Sequence, residues 1–245
     1  MNIKLLFLRV VWVMKSWYYR LKLILWAIVH VPRTIFIADT KYSVPAWHWQ
    51  VAIPLRTDST QLKDGKMFYE PVELPHFKEL SKGKSVFFDV GANIGYYSYI
   101  AAASGIKKIV AFEFTPAYAE FTKRGFVVNK ISGKIVNCGV GNPGEWSAYA
   151  DPLASASGNL ISLDEYSKET GIYPDVIKMD IEGYELDALR NAHEILSRKP
   201  AIDISIHPQF LANRNQNAED VLALLNGYGY KIIWSGNDTY FMRAG

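Results

Sequence analysis

The chain has 245 residues, 49% of them hydrophobic and 14% aromatic, with a net charge of +3; this suits one large α/β domain with small additions. Its one cysteine, Cys138, excludes an internal disulfide framework and a cysteine-rich metal site, and it favours a reducing compartment. The charge is uneven: Lys4, Arg9, Lys15, Arg20, Lys22 and Arg33 precede the first acid, Asp39, leaving 21 basic against 24 acidic residues, a balance that argues against a broad nucleic-acid face on the main domain.

Residues 3–30 are long, apolar and basic. Wound at about 100° per residue, Leu6, Val10, Val13, Met14, Trp17, Leu21, Ile24, Leu25 and Ile28 share one face, with Lys4, Arg9, Lys15, Arg20, Lys22 and His30 opposite. That pattern suits a helix lying in a membrane interface, and equally one packed on its own domain or in a dimer interface. Charges recur too often for a spanning helix, and Arg9 and Lys15 cut the apolar core that a signal peptide needs. We therefore separate residues 1–33, a basic amphipathic membrane- or partner-binding helix, from residues 34–84, a cover segment. The cover holds β-prone runs at Thr34–Ile37 and Trp47–Ile53, a turn signal at Asp64-Gly65, and a helix over Glu70–Leu80 with Pro71 near its start.

Val86–Val90 reads as a buried strand, broken by Gly91–Gly95 and followed by an apolar helix to about Ala103. Glycines between a first strand and a helix let a ligand approach the backbone. The spacing is Gly-x-x-x-Gly, not that of the dinucleotide turn. Asp89 ends the strand as a carboxylate near a sheet core, costly unless something bonds to it. Lys108–Glu113 is the second strand, and Thr115-Pro116 opens a helix to about Asn129. Glu113, about 20 residues past the glycine turn, is placed to hold ribose hydroxyls of a nucleoside cofactor, or to cap the next helix.

Gly133–Val140 reads as a third strand with its exit loop, where Asn137 can meet an adenine ring and Cys138 is a small buried filler. Glu145–Ala150 is extended. Asp151–Asn159 is a polar loop, a lid or plain surface, and Leu163 begins a helix. Val176–Met179 is a strand with Lys178 within it and Asp180 and Glu182 at its end, before a helix to about Leu196. Pleat alternation turns Lys178 and Asp180 to one side, where such groups suit substrate positioning or proton transfer. Two carboxylates can also hold a divalent cation, but no further ligands are fixed, so no metal is assigned. Ala201–His207 is another strand whose terminal imidazole can accept a proton near neutrality. A helix over Ala218–Asn226 and a hairpin of Tyr230–Trp234 with Asp238–Met242 complete a doubly wound sheet with an antiparallel edge.

Phe88-Asp89-Val90-Gly91-Ala92-Asn93-Ile94-Gly95, Phe112-Glu113, Ile161–Asp164, Ile177–Glu185 and His207-Pro208 in this order resemble the FkbM-type family of S-adenosylmethionine-dependent methyltransferases over roughly residues 70–235. The resemblance implies a methyltransferase domain over 85–245 with a seven-stranded Rossmann-like sheet whose last strand is antiparallel. It implies S-adenosylmethionine as cofactor, with Asp89, Gly91 and Gly95 on its methionine part, Glu113 on its ribose, and Asn93, Phe114 and Asn137 in the same cofactor site. It also implies O-methyl transfer to a hydroxyl of a small-molecule or glycan acceptor, to which the amphipathic arm adds a lipid-linked one; from their place at the strand ends we expect Asp180 and His207 to act as base or orienting groups, Lys178 to steady the oxygen, and Glu182 to assist. The chain departs from the family at Phe114, where proline is common, and at Ser205, where an acid often leads toward the histidine. The expected setting is the cytoplasm, or the cytoplasmic face of a membrane through residues 3–30, with a homo-oligomer as the other use of the arm. RNA methylation and a non-catalytic scaffold on the same fold are the alternatives; the acidic balance outside the arm weighs against nucleic acid.

Overall fold

The computed structural model describes residues 72–150 and 155–245, together with four short strands nearer the N-terminus. Those strands form two antiparallel hairpins, β1 (Thr34–Ile37) with β2 (Thr40–Ser43) and β3 (Thr60–Lys63) with β4 (Lys66–Tyr69). Lys63 pairs with Lys66 in the second hairpin; Asp64-Gly65, where the sequence signals a turn, lies outside the described residues. The amphipathic arm and the Trp47–Ile53 run lie outside the described residues.

The domain is built on seven strands: β5 (Val86–Val90), β6 (Lys108–Phe112), β7 (Gly133–Val136), β11 (Val176–Met179), β12 (Ala201–Ser205), β13 (Tyr230–Gly236) and β14 (Thr239–Ala244). Their order across the sheet is β13-β14-β12-β11-β5-β6-β7. The chain's last strand, β14, runs antiparallel to both neighbours. It lies inside β13, because the hairpin inserts its second strand beside β12, and it makes the antiparallel pairing that the sequence suggests. Asn237 and Asp238 turn that hairpin with φ of 48° and 62°, the left-handed pair of a tight β-turn.

Strand alternation divides the core into two layers. Phe87, Ile109, Ala111, Val176 and Phe241 face α1 (Glu73–Ser81), α2 (Tyr96–Ala103) and the end of α3 (Pro116–Val128). Phe88, Val110, Ile177, Met179, Ile202 and Ile204 face the other side. That side is covered by α4 (Leu163–Thr170), α5 (Glu185–Arg190), α6 (His193–Ser197), α7 (Pro208–Ala212) and α8 (Ala218–Gly227). Each fully buried Phe or Leu contributes about 1.5–3 kcal/mol.

Three expectations are corrected. The helix read over Glu70–Leu80 starts at Glu73. The helix read through to Leu196 is two helices, because the Asp164 carboxylate accepts the Glu194 and Ile195 N–H groups (2.8 and 3.0 Å) and so starts a fresh one, α6. The polar stretch read as a loop to Asn159 is, from Ser155 onward, strand β10 (Ser155–Ile161). It pairs antiparallel with β9 (Trp146–Ala150) and parallel with β8 (Gly139–Val140), so pairing partners override a composition that favours loop. This small three-stranded sheet has the order β8-β10-β9.

Candidate functional site

The chain leaves β5 for β6 and β7 on one side and returns to β11 and β12 on the other. The strand order therefore reverses beside β5, where a doubly wound sheet opens a crevice at its carboxyl ends. A cavity of about 270 Å³ occupies that place. Its floor is the glycine turn. Gly91 has φ +85°, and a Cβ there would sit 1.9 Å from the Asp180 carbonyl oxygen, so glycine is what lets the loops after β5 and β11 touch. Gly95 is absent from the cavity wall; a Cβ there would lie 2.6 Å from Thr122 Cγ2, and glycine serves helix packing instead.

Asp89 lines the cavity at 2% exposure, and its Oδ2 accepts the Ser98 hydroxyl at 2.6 Å. Burial pushes its carboxyl up to about 6, against the Ser98 bond and the Lys178 ammonium, which pull it down. Glu113 ends β6 with both oxygens engaged: Oε2 accepts the Asn93 N–H at 2.6 Å and Oε1 the Thr115 N–H at 2.7 Å. It therefore ties the glycine turn to the start of α3 while also facing the cavity, and burial raises its carboxyl above the usual range. Asn93 and Phe114 are on the wall. Asn137 is not; its Nδ2 donates to the carbonyls of Glu113 and Phe114 at 2.7 and 3.1 Å, so it braces the wall from behind. Cys138 takes a place on the wall, with its thiol pushed up to about 12 by burial, which keeps it a filler rather than a nucleophile.

The other end of the cavity is a row of charges on adjacent strands. Register sets Lys178 beside Asp89 on one flank and Asp203 on the other. The Lys178 side chain is 2% exposed; Nζ donates to Ser205 Oγ at 2.7 Å and lies 3.4 Å from Asp180 Oδ2, 3.8 Å from Asp203 Oδ1 and 5.1 Å from the Tyr97 ring centre. Ser205, the departure from the family pattern, is thus a ligand of the lysine rather than a partner of the histidine. Lys178, Asp180 and Glu182 all line the cavity.

His207 stands behind them. Strand β12 ends at Ser205, and His207 caps α7. Its Nε2 is 3.5 Å from Asp180 Oδ1 and 3.9 Å from Glu182 Oε2, and its Nδ1 is 2.9 Å from Glu185 Oε1. Burial alone would lower the imidazole; the Glu185 bond and the three carboxylates outweigh it and raise it above the ordinary 6.5. Burial also raises Glu182, against the pull of His207. One ligand-type atom from each of Asp180, Glu182 and His207 lies within 4.8 Å of the others, a spacing that a divalent cation can also bridge.

The sequence reading missed Tyr96, Tyr97, Tyr118 and Tyr184, which form aromatic parts of the wall, and Ser147, Ala148 and Leu160 from the small sheet. The first two tyrosines fall in the apolar helix pattern after Gly95, and nothing local marked the small sheet as part of the wall. It also left Glu185 without a role. Two buried acids, a glycine cradle closed to any Cβ and aromatic walls suit a cationic nucleoside bearing free ribose hydroxyls.

Comparison with known proteins bears on the same residues. The sequence profile described as the methyltransferase FkbM domain matches residues 89–232, more than half of the chain. A search of curated sequences returned no match. Among solved structures, a ribosomal protein L11 methylase from Lactobacillus delbrueckii subsp. bulgaricus aligns at 14% identity and a TM-score of 0.45, over 69% of this chain and 74% of that one. A methyltransferase-like protein from Silicibacter pomeroyi aligns at 15% identity and 0.47, over 71% and 85%. The Pyrococcus abyssi tRNA (uracil-54, C5)-methyltransferase, solved with S-adenosylhomocysteine, aligns at 12% identity and 0.46, over 87% of this chain and 44% of that one.

Proposed function

The chain belongs to the FkbM family of S-adenosylmethionine-dependent methyltransferases, and from that premise we propose that it methylates a hydroxyl oxygen of a small-molecule, glycan or lipid-linked acceptor. Bound cofactor supplies a methyl group already activated on a sulfonium. Asp89, Gly91 and Asn93 would hold its methionine part, Glu113 its ribose and Phe114 its base, all from the cavity wall.

The observation that carries the hydroxyl reading is the Lys178–Asp180 pair on that wall, 3.4 Å apart. An alcohol must lose its proton as the new bond forms, and charge builds on its oxygen until it does. Asp180 is the carboxylate that takes the proton. Lys178, held by Ser205 and Asp203 with almost no exposure, steadies the oxygen without having to reorganise. His207 does not reach the cavity wall and acts by orienting Asp180. Glu182, on the wall at the same end, is placed to bond a neighbouring acceptor hydroxyl. The basic arm over residues 1–33 supports a lipid-linked acceptor presented at the cytoplasmic face of a membrane. Among the described residues, no helix is long and apolar enough to cross one.

The test uses full-length protein and S-adenosylmethionine tritiated in the methyl group, offered to simple glycosides, a lipid-linked glycan fraction and an RNA transcript. Label in an alkali-stable ether, cut by about 10²–10⁴-fold in D180N and K178M, supports the reading. Label that enters the RNA or an amine overturns it.

A further inference from the structure

We infer that Glu185 is a positioning residue of the acceptor end, acting through His207 on Asp180 and Glu182. The inference rests on the methyl-transfer reading of that end and asks what holds its carboxylates in place. On the strand leading to the histidine, Ser205 accepts from Lys178 and Asp203 lies 3.8 Å from the same ammonium, so both are engaged with the lysine.

The turn after β11 supplies a partner instead. Glu182 and Gly183 both take left-handed backbone, φ 53° and 96°. A Cβ on Gly183 would lie 2.6 Å from Phe210 Cβ and 2.8 Å from the Phe210 carbonyl carbon, so the turn packs directly on α7. That approach sets Glu185, the first residue of α5, against His207, the cap of α7. Glu185 is 0% exposed. Its Oε1 accepts the Gly183 N–H at 3.1 Å and meets His207 Nδ1 at 2.9 Å. The other ring nitrogen faces Asp180 and Glu182.

Ionised carboxylates only accept hydrogen bonds. A carboxylate hydrogen-bonded at one ring nitrogen and two more within 3.9 Å of the other favour the doubly protonated ring. Glu185 therefore favours a proton on Nδ1, which leaves a protonated Nε2 at ion-pair distance from the two carboxylates, 3.5 Å from Asp180 and 3.9 Å from Glu182. Among the described residues, the groups facing the ring are Asp180 and Glu182 from the turn, Glu185 from α5 and the Phe210 ring from α7, 5.9 Å away; the Lys178 ammonium pulls on Asp180 from its other oxygen. The net upward displacement of the imidazole accords with this arrangement.

The test needs no acceptor. Full-length protein with ¹⁵N-labelled histidine, saturated with S-adenosylhomocysteine, is titrated by NMR, with the His207 signals assigned by their loss in H207Q. Both ring nitrogens are expected to be protonated at pH 6.5. E185Q, which keeps the shape but not the charge, is expected to lower the proton affinity of His207 about tenfold or more while leaving S-adenosylhomocysteine affinity within twofold. A neutral His207 in the wild-type protein at pH 6.5, or an unmoved midpoint in E185Q, overturns the inference. Should E185Q not fold, the wild-type titration and E185D, expected to retain the doubly protonated ring, decide it. Manganese that binds stoichiometrically and displaces the Nε2 proton also overturns it, since the ring then serves a metal. On an acceptor recovered by the screen above, E185Q should lower kcat about tenfold or more with KM for the cofactor unchanged, and adding H207Q should cost no more than twofold further. Fully additive losses overturn the Glu185 role while leaving hydroxyl methylation standing; a failed acceptor screen leaves the NMR result standing.

Discussion

Asp89 ties cofactor affinity to pH with a sign that can be worked out. The carboxyl lies at 2% exposure in the cavity and is pushed up to about 6 by burial, which outweighs the Ser98 hydroxyl, the Lys178 ammonium and the Ser98 N–H that favour its charge. A ligand carrying an ammonium or sulfonium prefers the ionised form. If only that form binds well, affinity scales as the ionised fraction, so between pH 8 and pH 5 it should weaken about elevenfold, near 1.4 kcal/mol. Calorimetric titration of S-adenosylhomocysteine into the full chain at four pH values between those limits measures it. Glu113 is raised in the same direction and steepens the acid side, so D89N should flatten the curve in part and D89N/E113Q more fully. An affinity that stays level from pH 8 to 5, or a D89N curve as steep as the wild type, refutes the argument.

The apo-protein should respond with the opposite sign. A carboxyl whose folded value exceeds its unfolded value contributes stability that is full below the unfolded value, 3.8 here, and is lost as pH rises through about 6. The loss from this group is at most about 3 kcal/mol. D89N should therefore melt higher than the wild type at pH 8 in the absence of ligand, with the difference closing by pH 4. Bound ligand should narrow the gap at pH 8 by stabilising the ionised wild-type carboxylate.

Other perturbations reach different parts of the same framework. Gly91→Ala puts a Cβ 1.9 Å from a backbone oxygen at φ +85° and should cost more than about 3 kcal/mol in chemical denaturation, whereas Gly144→Ala, at φ +77° with nothing within 4 Å, should cost about 1 kcal/mol. Equal costs would mean that strain alone, not loop contact, governs the turn. Phe77→Ala empties a fully buried site packed edge-on to Phe87 and Tyr97, at 5.3 and 4.9 Å between ring centres. It should cost about 3–5 kcal/mol and also weaken cofactor binding, because Tyr97 lines the cavity. Lys178→Met removes the ammonium that lowers Asp89, so the midpoint of the pH series should move above about 6; an unmoved midpoint would separate the two groups electrostatically.

What was legible in the sequence follows a physical division. Strands β5, β6 and β11 could be bounded to within a residue because each is a short apolar run closed by glycine or by an acid at its carboxyl end. The parallel sheet places those ends together, so Asp89, Glu113, Lys178 and Asp180 converge without any long-range information beyond strand order. Residues whose roles depend on tertiary pairing were less legible. Asn137 has the chemistry of a base contact, but the reach of its amide to two main-chain carbonyls depends on how β7 exits. Strand β10 is written in serine, alanine and glycine, and only its neighbours make it a strand.

Glu185 joins both cases. Spacing alone, three residues after Glu182 at the start of a helix, marks it as a favourable first-turn acid. What changes its meaning is Gly183, whose missing Cβ lets the turn seat on Phe210 and brings two segments, 22 residues apart in sequence, into hydrogen-bond distance. The run from Lys178 to Glu185 is then one device with alternating duties. Lys178, Asp180 and Glu182 face the cavity, Gly183 makes the contact that aims them, and Glu185 reaches back to the histidine that lies between Asp180 and Glu182. A substitution at Gly183 should therefore disturb His207 as much as a substitution at Glu185, although glycine touches no ring nitrogen. In the same NMR titration, Gly183→Ala should shift the His207 midpoint in the direction that E185Q does. A folded Gly183→Ala protein with an unchanged His207 would mean that Glu185 finds the ring by some route other than this turn.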